Sequence, residues 1–171
     1  MAGNLPSLSN LTSSELELAK EFSYGIVASL WNPTITDQLV QAALETLQSC
    51  QVPASAIYLE RVPGSFELPL AAQWLLNTKM PDALICLGCI IKGETQHDEF
   101  IAHAITDGIM QLNLRFDKPV ILGVLTVNSM QQANERAGGI LGNKGTESIL
   151  AAIKMLSLQR SLNTAVQSKK T

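Results

Sequence analysis

Four stretches of the chain carry side chains able to do chemistry. His97 follows a short glycine-containing polar loop, residues 92–96, and is one of only two histidines. With an unperturbed pKa of about 6.5, an imidazole there either moves protons near neutrality or merely caps a helix terminus. Arg136 and Lys144 flank Gly138, Gly139, Gly142 and Gly145. Two cations around exposed backbone N–H groups suit a phosphate, and an ordinary helix cap and turn is the competing reading. A second phosphate-friendly loop, Gly93-Glu94-Thr95, precedes a helix start. Trp31 stands where a strand candidate ends, so its ring either covers a heteroaromatic ligand or fills the core. Phe66-Glu67 lies at the neighbouring turn, where a carboxylate can accept hydrogen bonds or simply occupy a helix N-terminus.

Other patterns fail on spacing. His103 is six residues beyond His97, which turns the two rings about 240° apart on a helix, so no metal site is expected. Cys86 and Cys89 spell Cys-x-x-Cys inside an apolar run. In a strand they face opposite ways, and no second cysteine pair completes a zinc site. The glycine run around Lys144 is not a Walker A loop, because Asn143 precedes the lysine and Gly145 follows it. The GxxG at residues 139–142 matches an RNA-binding loop only by letter.

The elements that must position these residues alternate along the chain. Apolar strand candidates occupy residues 22–30, 56–62, 82–91 and 120–127. The third is apolar on both faces, as a central parallel strand covered by helices must be. Between the strands, a helical pattern starts at Thr36, with Leu39, Val40, Ala43, Leu44 and Leu47 on one stripe. A second helix is predicted over residues 66–77 with Leu70, Trp74 and Leu75 inward, and a third from a Thr95-x-x-Asp98 capping box to Phe116. A short helix capped by Ser129-x-x-Gln132 fades at Gly138-Gly139. A long helix from about Gly145 carries Ile149, Leu150, Ile153 and Leu156. The pattern predicts a doubly wound, three-layer α/β/α sandwich, flavodoxin-like, on a central four-stranded parallel sheet. One α/β domain spans residues 22–160, between an N-terminal arm outside the core, residues 1–21, and a frayed polar tail, residues 161–171. Ligands in such folds bind beyond the carboxyl ends of the strands, where the loops named above collect.

Composition bounds the function. The 171 residues are 46% hydrophobic, 16% charged and 5% aromatic. Disorder is excluded, and the sparse charge leaves apolar surface free for self-association. A net charge of −3 and a pI near 5.3 argue against nucleic acid. No apolar run approaches the ~20 residues of a membrane helix. The first nineteen residues hold no Lys or Arg, and the cysteines number three. A cytoplasmic, reduced protein is expected.

Taken jointly, Trp31-Asn32, PGSFELP at 63–69, GCIIKGETQH at 88–97, VILGVLTV at 120–127 and ERAGGILGNKG at 135–145 resemble the lumazine synthase (6,7-dimethyl-8-ribityllumazine synthase) family. The resemblance covers about residues 22–160. It implies a cofactor-free step of riboflavin biosynthesis. In it, 5-amino-6-(D-ribitylamino)uracil condenses with 3,4-dihydroxy-2-butanone 4-phosphate to give 6,7-dimethyl-8-ribityllumazine, phosphate and water. His97 would shuttle the protons and Trp31 would stack on the pyrimidine. Asn32, Ser65, Phe66 and Glu67 match positions around the ribityl chain and pyrimidine edge, and Cys89, Ile90 and Ile91 match a strand end that binds the pyrimidine. Glu94 and Thr95 match a loop whose N–H groups hold the phosphate, with Arg136 as its guanidinium partner.

The resemblance also implies a homopentamer with sites between subunits, Leu122, Arg136 and Lys144 coming from the adjacent chain. Pentamers alone, paired pentamers and an icosahedral shell of sixty subunits all remain open, the uninterrupted loop 136–143 favouring the shell. Riboflavin synthase is a further candidate partner. Leu30 stands where Arg is frequent in the family, Leu122 where Phe is frequent, and Ile140 where some members have Lys. A flavin- or lumazine-binding carrier and a flavodoxin-like electron carrier are the readings from other classes.

Overall fold

The computed structural model describes residues 7–167. Its first helix, α1 (Ser13–Ala19), lies within the segment expected to be an arm outside the core. Thr12 caps it. The Thr12 hydroxyl accepts from the Glu15 N–H at 3.2 Å, and the Glu15 carboxylate accepts from the Thr12 N–H at 2.7 Å. That reciprocal pair fixes the first turn and lets Leu11 and Ala19 bury in the main core. Residues 11–19 are therefore part of the domain, and residues 1–6 lie outside those described.

The strands follow the expected order. β1 (Tyr24–Ser29) is buried throughout, and α2 (Pro33–Ser49) takes Pro33 at its first position, where a missing N–H costs nothing. β2 (Ile57–Val62) leads through a 3₁₀ turn at Ser65–Glu67 into α3 (Leu68–Thr78). Two apolar stripes compete on this helix, and the one through Leu68 faces the core. Leu68, Ala72, Leu75 and Leu76 are buried, while Leu70 and Trp74, about 200° and 240° around from Leu68, are exposed. The expected inward placement of Leu70 and Trp74 is thus wrong, and only Leu75 of the three faces the core.

β3 (Ala83–Ile91) runs to the loop before α4 (His97–Phe116), and β4 (Val120–Val127) follows. The four strands are all parallel, in the order β2-β1-β3-β4. Alternate side chains of the two inner strands supply two cores. Ile26, Ala28, Ile85 and Leu87 pack with α1, α2 and the C-terminal helix, and Val27, Leu84 and Cys86 pack with α3 and α4. This is the three-layer, doubly wound architecture that the alternation of elements predicts.

After β4, α5 (Met130–Arg136) is capped as expected, the Ser129 hydroxyl accepting from the Gln132 N–H at 3.3 Å. The glycine-rich stretch is more than a fading helix end. It forms an antiparallel hairpin of β5 (Ala137–Gly139) and β6 (Gly142–Asn143), with Gly138 and Gly142 at positive φ. α6 (Lys144–Gln167) begins directly from it and carries the expected buried stripe Ile149, Leu150, Ile153 and Leu156. Gly145 allows its first turn to touch α2, since a Cβ there would sit 2.0 Å from the Leu39 carbonyl oxygen. The helix continues beyond Ser161, where a frayed tail was expected, with residues 161–165 exposed. Residues 168–171 lie outside those described. Among the described residues no helix is long and apolar enough to cross a membrane.

Candidate active site

A cleft of about 520 Å³ opens at the carboxyl ends of β1, β2 and β3. Trp31 and Asn32 enter it from the β1 end, Gly64, Ser65, Phe66 and Glu67 from the turn after β2, and Cys89, Ile90 and Ile91 from the β3 end. Gly93 and Thr95 close it from the next loop, with His97, Asp98 and Ile101 on the first turns of α4. Of the residues singled out in the sequence, ten therefore meet in one place.

Local physics holds each of them. Asn32 adopts the left-handed conformation (φ 56°, ψ 55°), which Asn tolerates better than most residues, and this turns the chain from β1 into α2. Its side-chain amide donates to the Cys89 carbonyl at 3.0 Å, tying the ends of β1 and β3 together. Next to it the Trp31 ring is 70% exposed, so it is a free face at the cleft and not a core filler. The Glu67 carboxylate accepts from the Gly64 N–H at 2.9 Å, which closes the turn while leaving its second oxygen without a partner among the described residues. Ser65 is buried and lies against Gly88; a Cβ at Gly88 would come within 2.6 Å of the Ser65 hydroxyl. Glycine at 88 thus leaves the room that the Ser65 hydroxyl occupies.

The expected capping box at Thr95-x-x-Asp98 does not form. Gln96 takes the cap position and no side chain caps the helix. The Thr95 hydroxyl instead accepts from the His97 N–H at 3.4 Å. An α4 N-terminus of this kind, without a side-chain cap and opening on the cleft, offers its dipole and N–H groups to an anion. His97 is exposed at that same edge. Asp98 and Ile101 were missed as cleft residues, although Ile101, four residues beyond His97 and three beyond Asp98, shares a helix face with each.

Four singled-out residues stand apart. Glu94 belongs to the cleft loop but does not line the cavity, and Leu122, Arg136 and Lys144 lie away from it. Leu122 is exposed on β4, one of the two edge strands of the sheet. Arg136 makes a two-pronged ion pair with Glu147, both contacts at 2.8 Å, and donates to the Leu141 carbonyl at 2.6 Å. Lys144 lies 3.6 Å from the same carboxylate. Within one chain, then, the two cations meet Glu147 and not the cleft.

The cysteines are free and buried, Cys86 in one core and Cys89 in the other, as opposite faces of a strand require. Burial pushes the Cys86 thiol up to about 12 and that of Cys89 to about 11, so neither is an activated nucleophile. Among the described residues no three His, Cys, Asp or Glu side chains come together as a metal site.

A parallel α/β sandwich whose strand-end cleft gathers an exposed indole, an imidazole and a helix N-terminus belongs to the doubly wound α/β proteins. Residues 21–160 match the family model described as 6,7-dimethyl-8-ribityllumazine synthase, and the chain belongs to that family. A 6,7-dimethyl-8-ribityllumazine synthase of Flavobacterium johnsoniae is 47% identical over 160 residues, 94% of this chain and 84% of the relative. Its namesake in Cytophaga hutchinsonii is 46% identical over 156 residues, covering 91% of each chain. That of Parabacteroides distasonis is 43% identical over 157 residues, 92% of this chain and 98% of the relative.

Proposed function

We propose that this chain is the transferase of riboflavin biosynthesis that condenses 5-amino-6-(D-ribitylamino)uracil with 3,4-dihydroxy-2-butanone 4-phosphate. The products are 6,7-dimethyl-8-ribityllumazine, phosphate and water. The observation that carries the reading is the meeting of Trp31, His97 and the N-terminus of α4 in one cleft. The pyrimidine stacks on Trp31, its edge and ribityl chain meeting Asn32, Ser65, Phe66 and Glu67 and the β3 end at Cys89, Ile90 and Ile91. The phosphate of the four-carbon substrate sits at the loop of Glu94 and Thr95. The amine attacks the ketone and one water leaves to form an imine, phosphate is eliminated, and the ring closes with loss of a second water. Each step after the attack moves a proton, which is the task of His97. Most of the remaining acceleration comes from holding two reactants in register.

Arg136 completes the phosphate site and Leu122 and Lys144 complete the pyrimidine site, all three from the neighbouring subunit of a homopentamer. Their position outside the cleft of their own chain supports this, as do the exposed apolar side chains Leu70, Trp74 and Leu122. Of a lone pentamer, paired pentamers and an icosahedral shell, the uninterrupted loop 136–143 favours the shell, with riboflavin synthase as a further partner. Three free buried thiols suit the reducing cytoplasm, where we place the protein.

The test is direct. Purified protein given both substrates forms a lumazine that absorbs in the near ultraviolet. A rate no higher than the uncatalysed background sinks the reading.

A further inference from the structure

Arginine has five N–H donors: one on Nε and two on each terminal nitrogen. Three of those of Arg136 are engaged. Nη1 gives one proton to Glu147 Oε1 and the other to the Leu141 carbonyl, and Nη2 gives one proton to Glu147 Oε2. The carboxylate therefore occupies the end of the guanidinium between Nη1 and Nη2, and the Leu141 carbonyl takes the Nη1 proton on the side of the alkyl chain. What remains is one edge, the Nε proton and the second Nη2 proton, which point the same way in a planar guanidinium. No hydrogen bond to this pair occurs among the described residues. Two parallel donors on one edge are the fork that grips two oxygens of a phosphate.

We infer that Glu147 is a positioning residue that locks the Arg136 guanidinium so that its Nε–Nη2 edge faces the substrate phosphate. The inference rests on the proposal that Arg136 binds that phosphate. Glu147 is well placed for the task. It lies in the first turn of α6, its side chain is 14% exposed, and it sits across the β5–β6 hairpin from α5, which carries Arg136. The Leu141 carbonyl at the hairpin tip supplies the second constraint, so the guanidinium plane and not merely the charge is fixed. Lys144, 3.6 Å from the same carboxylate, keeps the three-residue cluster at a net charge of +1. Glu147 thus exchanges some attraction for phosphate for a fixed direction of binding.

Steady-state kinetics on Glu147→Ala and the isosteric Glu147→Gln test this, with Arg136→Ala and Arg136→Lys beside them. The readouts are KM for each substrate, kcat, and inhibition by inorganic phosphate. In Glu147→Ala, KM for the phosphorylated substrate and Ki for phosphate rise together by roughly tenfold, because the fork is free to turn. KM for the pyrimidine, whose site Lys144 shares, changes less than these, kcat at saturation stays as in the wild type, and Glu147→Gln, with one acceptor left, falls between. In the Arg136→Lys background, removing Glu147 no longer raises Ki and lowers it if anything, since an ammonium has no edge to orient and one negative charge is gone. An unchanged or lowered phosphate Ki in both Glu147 variants, with Arg136→Ala still raising it, overturns the positioning role and leaves the phosphate role of Arg136 standing. A uniform loss of kcat and of affinity for both substrates also overturns it, as a purely structural effect. If Arg136→Ala itself leaves Ki unchanged, the phosphate assignment of Arg136 fails and the inference with it.

Discussion

The side-chain amide of Asn32 donates a 3.0 Å hydrogen bond to the carbonyl of Cys89, joining the ends of two adjacent parallel strands 57 residues apart in sequence. The same residue holds the left-handed turn between β1 and α2. One side chain therefore sets both the position of Trp31 on one wall of the cleft and that of the β3 end on another. Asn32→Ala loses the hydrogen bond and also the polar side chain that lets asparagine hold the left-handed conformation better than alanine, each costing about 1 kcal/mol. Asn32→Gly loses only the first. Urea unfolding at constant m-value should rank wild type, Gly and Ala in that order, and KM for the pyrimidine should rise in both variants. Equal midpoints for Gly and Ala would remove the backbone part of the argument.

Trp31 offers a free aromatic face, and stacking is worth on the order of 1 kcal/mol beyond burial. Trp31→Phe should keep pyrimidine affinity within a few-fold, whereas Trp31→Ala should lose about fivefold or more. The chain has two tryptophans. Trp74→Phe leaves Trp31 as the sole indole, and titration with the pyrimidine should quench it. Quenching that survives in Trp31→Phe instead would assign the ligand to the surface around Trp74.

The sheet was legible because β3 is apolar on both faces and the breaks at Pro33, at Pro63-Gly64 and after Ile91 punctuate the pattern. The strand ends then chose the cleft loops without any side-chain information. The misses have separate causes. α3 carries two apolar stripes, and the stripe through Leu68, Ala72, Leu75 and Leu76 packs inward, which leaves Leu70 and Trp74 outward. The capping box of Thr12 and Glu15 was hidden in a polar tract, whereas that of Thr95 and Asp98 matched by letter and did not form. Two- and three-residue strands such as β5 and β6 have no periodicity to read. The pairing of Arg136 with Glu147 spans that hairpin, so no helical or strand spacing connects the two residues.

His97 is assigned the proton transfers, and removing a general acid–base typically costs a hundredfold or more. His97→Ala should therefore lower kcat by roughly a hundredfold while KM for each substrate changes little. A carrier with no catalysis would instead keep ligand affinity and have no rate to lose. A yellow protein loaded with flavin on purification would favour the electron-carrier alternative.

Cys86 supplies a pH test of the core. Its thiol, fully buried between β3 and the α3–α4 layer, is pushed by burial from 9.0 up to about 12. Below pH 9 it is protonated both folded and unfolded, so its contribution to stability is fully present. Above pH 9 the unfolded chain ionises first and releases its proton, while the folded chain holds on to it until about pH 12. Stability must therefore fall with rising pH in that window, by up to about 1.4 kcal/mol per pH unit from this group. Cys86→Ala should be less stable at pH 8, since it leaves a small void, but its stability should fall less steeply above pH 9. Urea unfolding of both proteins in reductant, from pH 8 to pH 10.5, should show the gap between them narrowing. Parallel curves would mean that the buried thiol is not what resists ionisation.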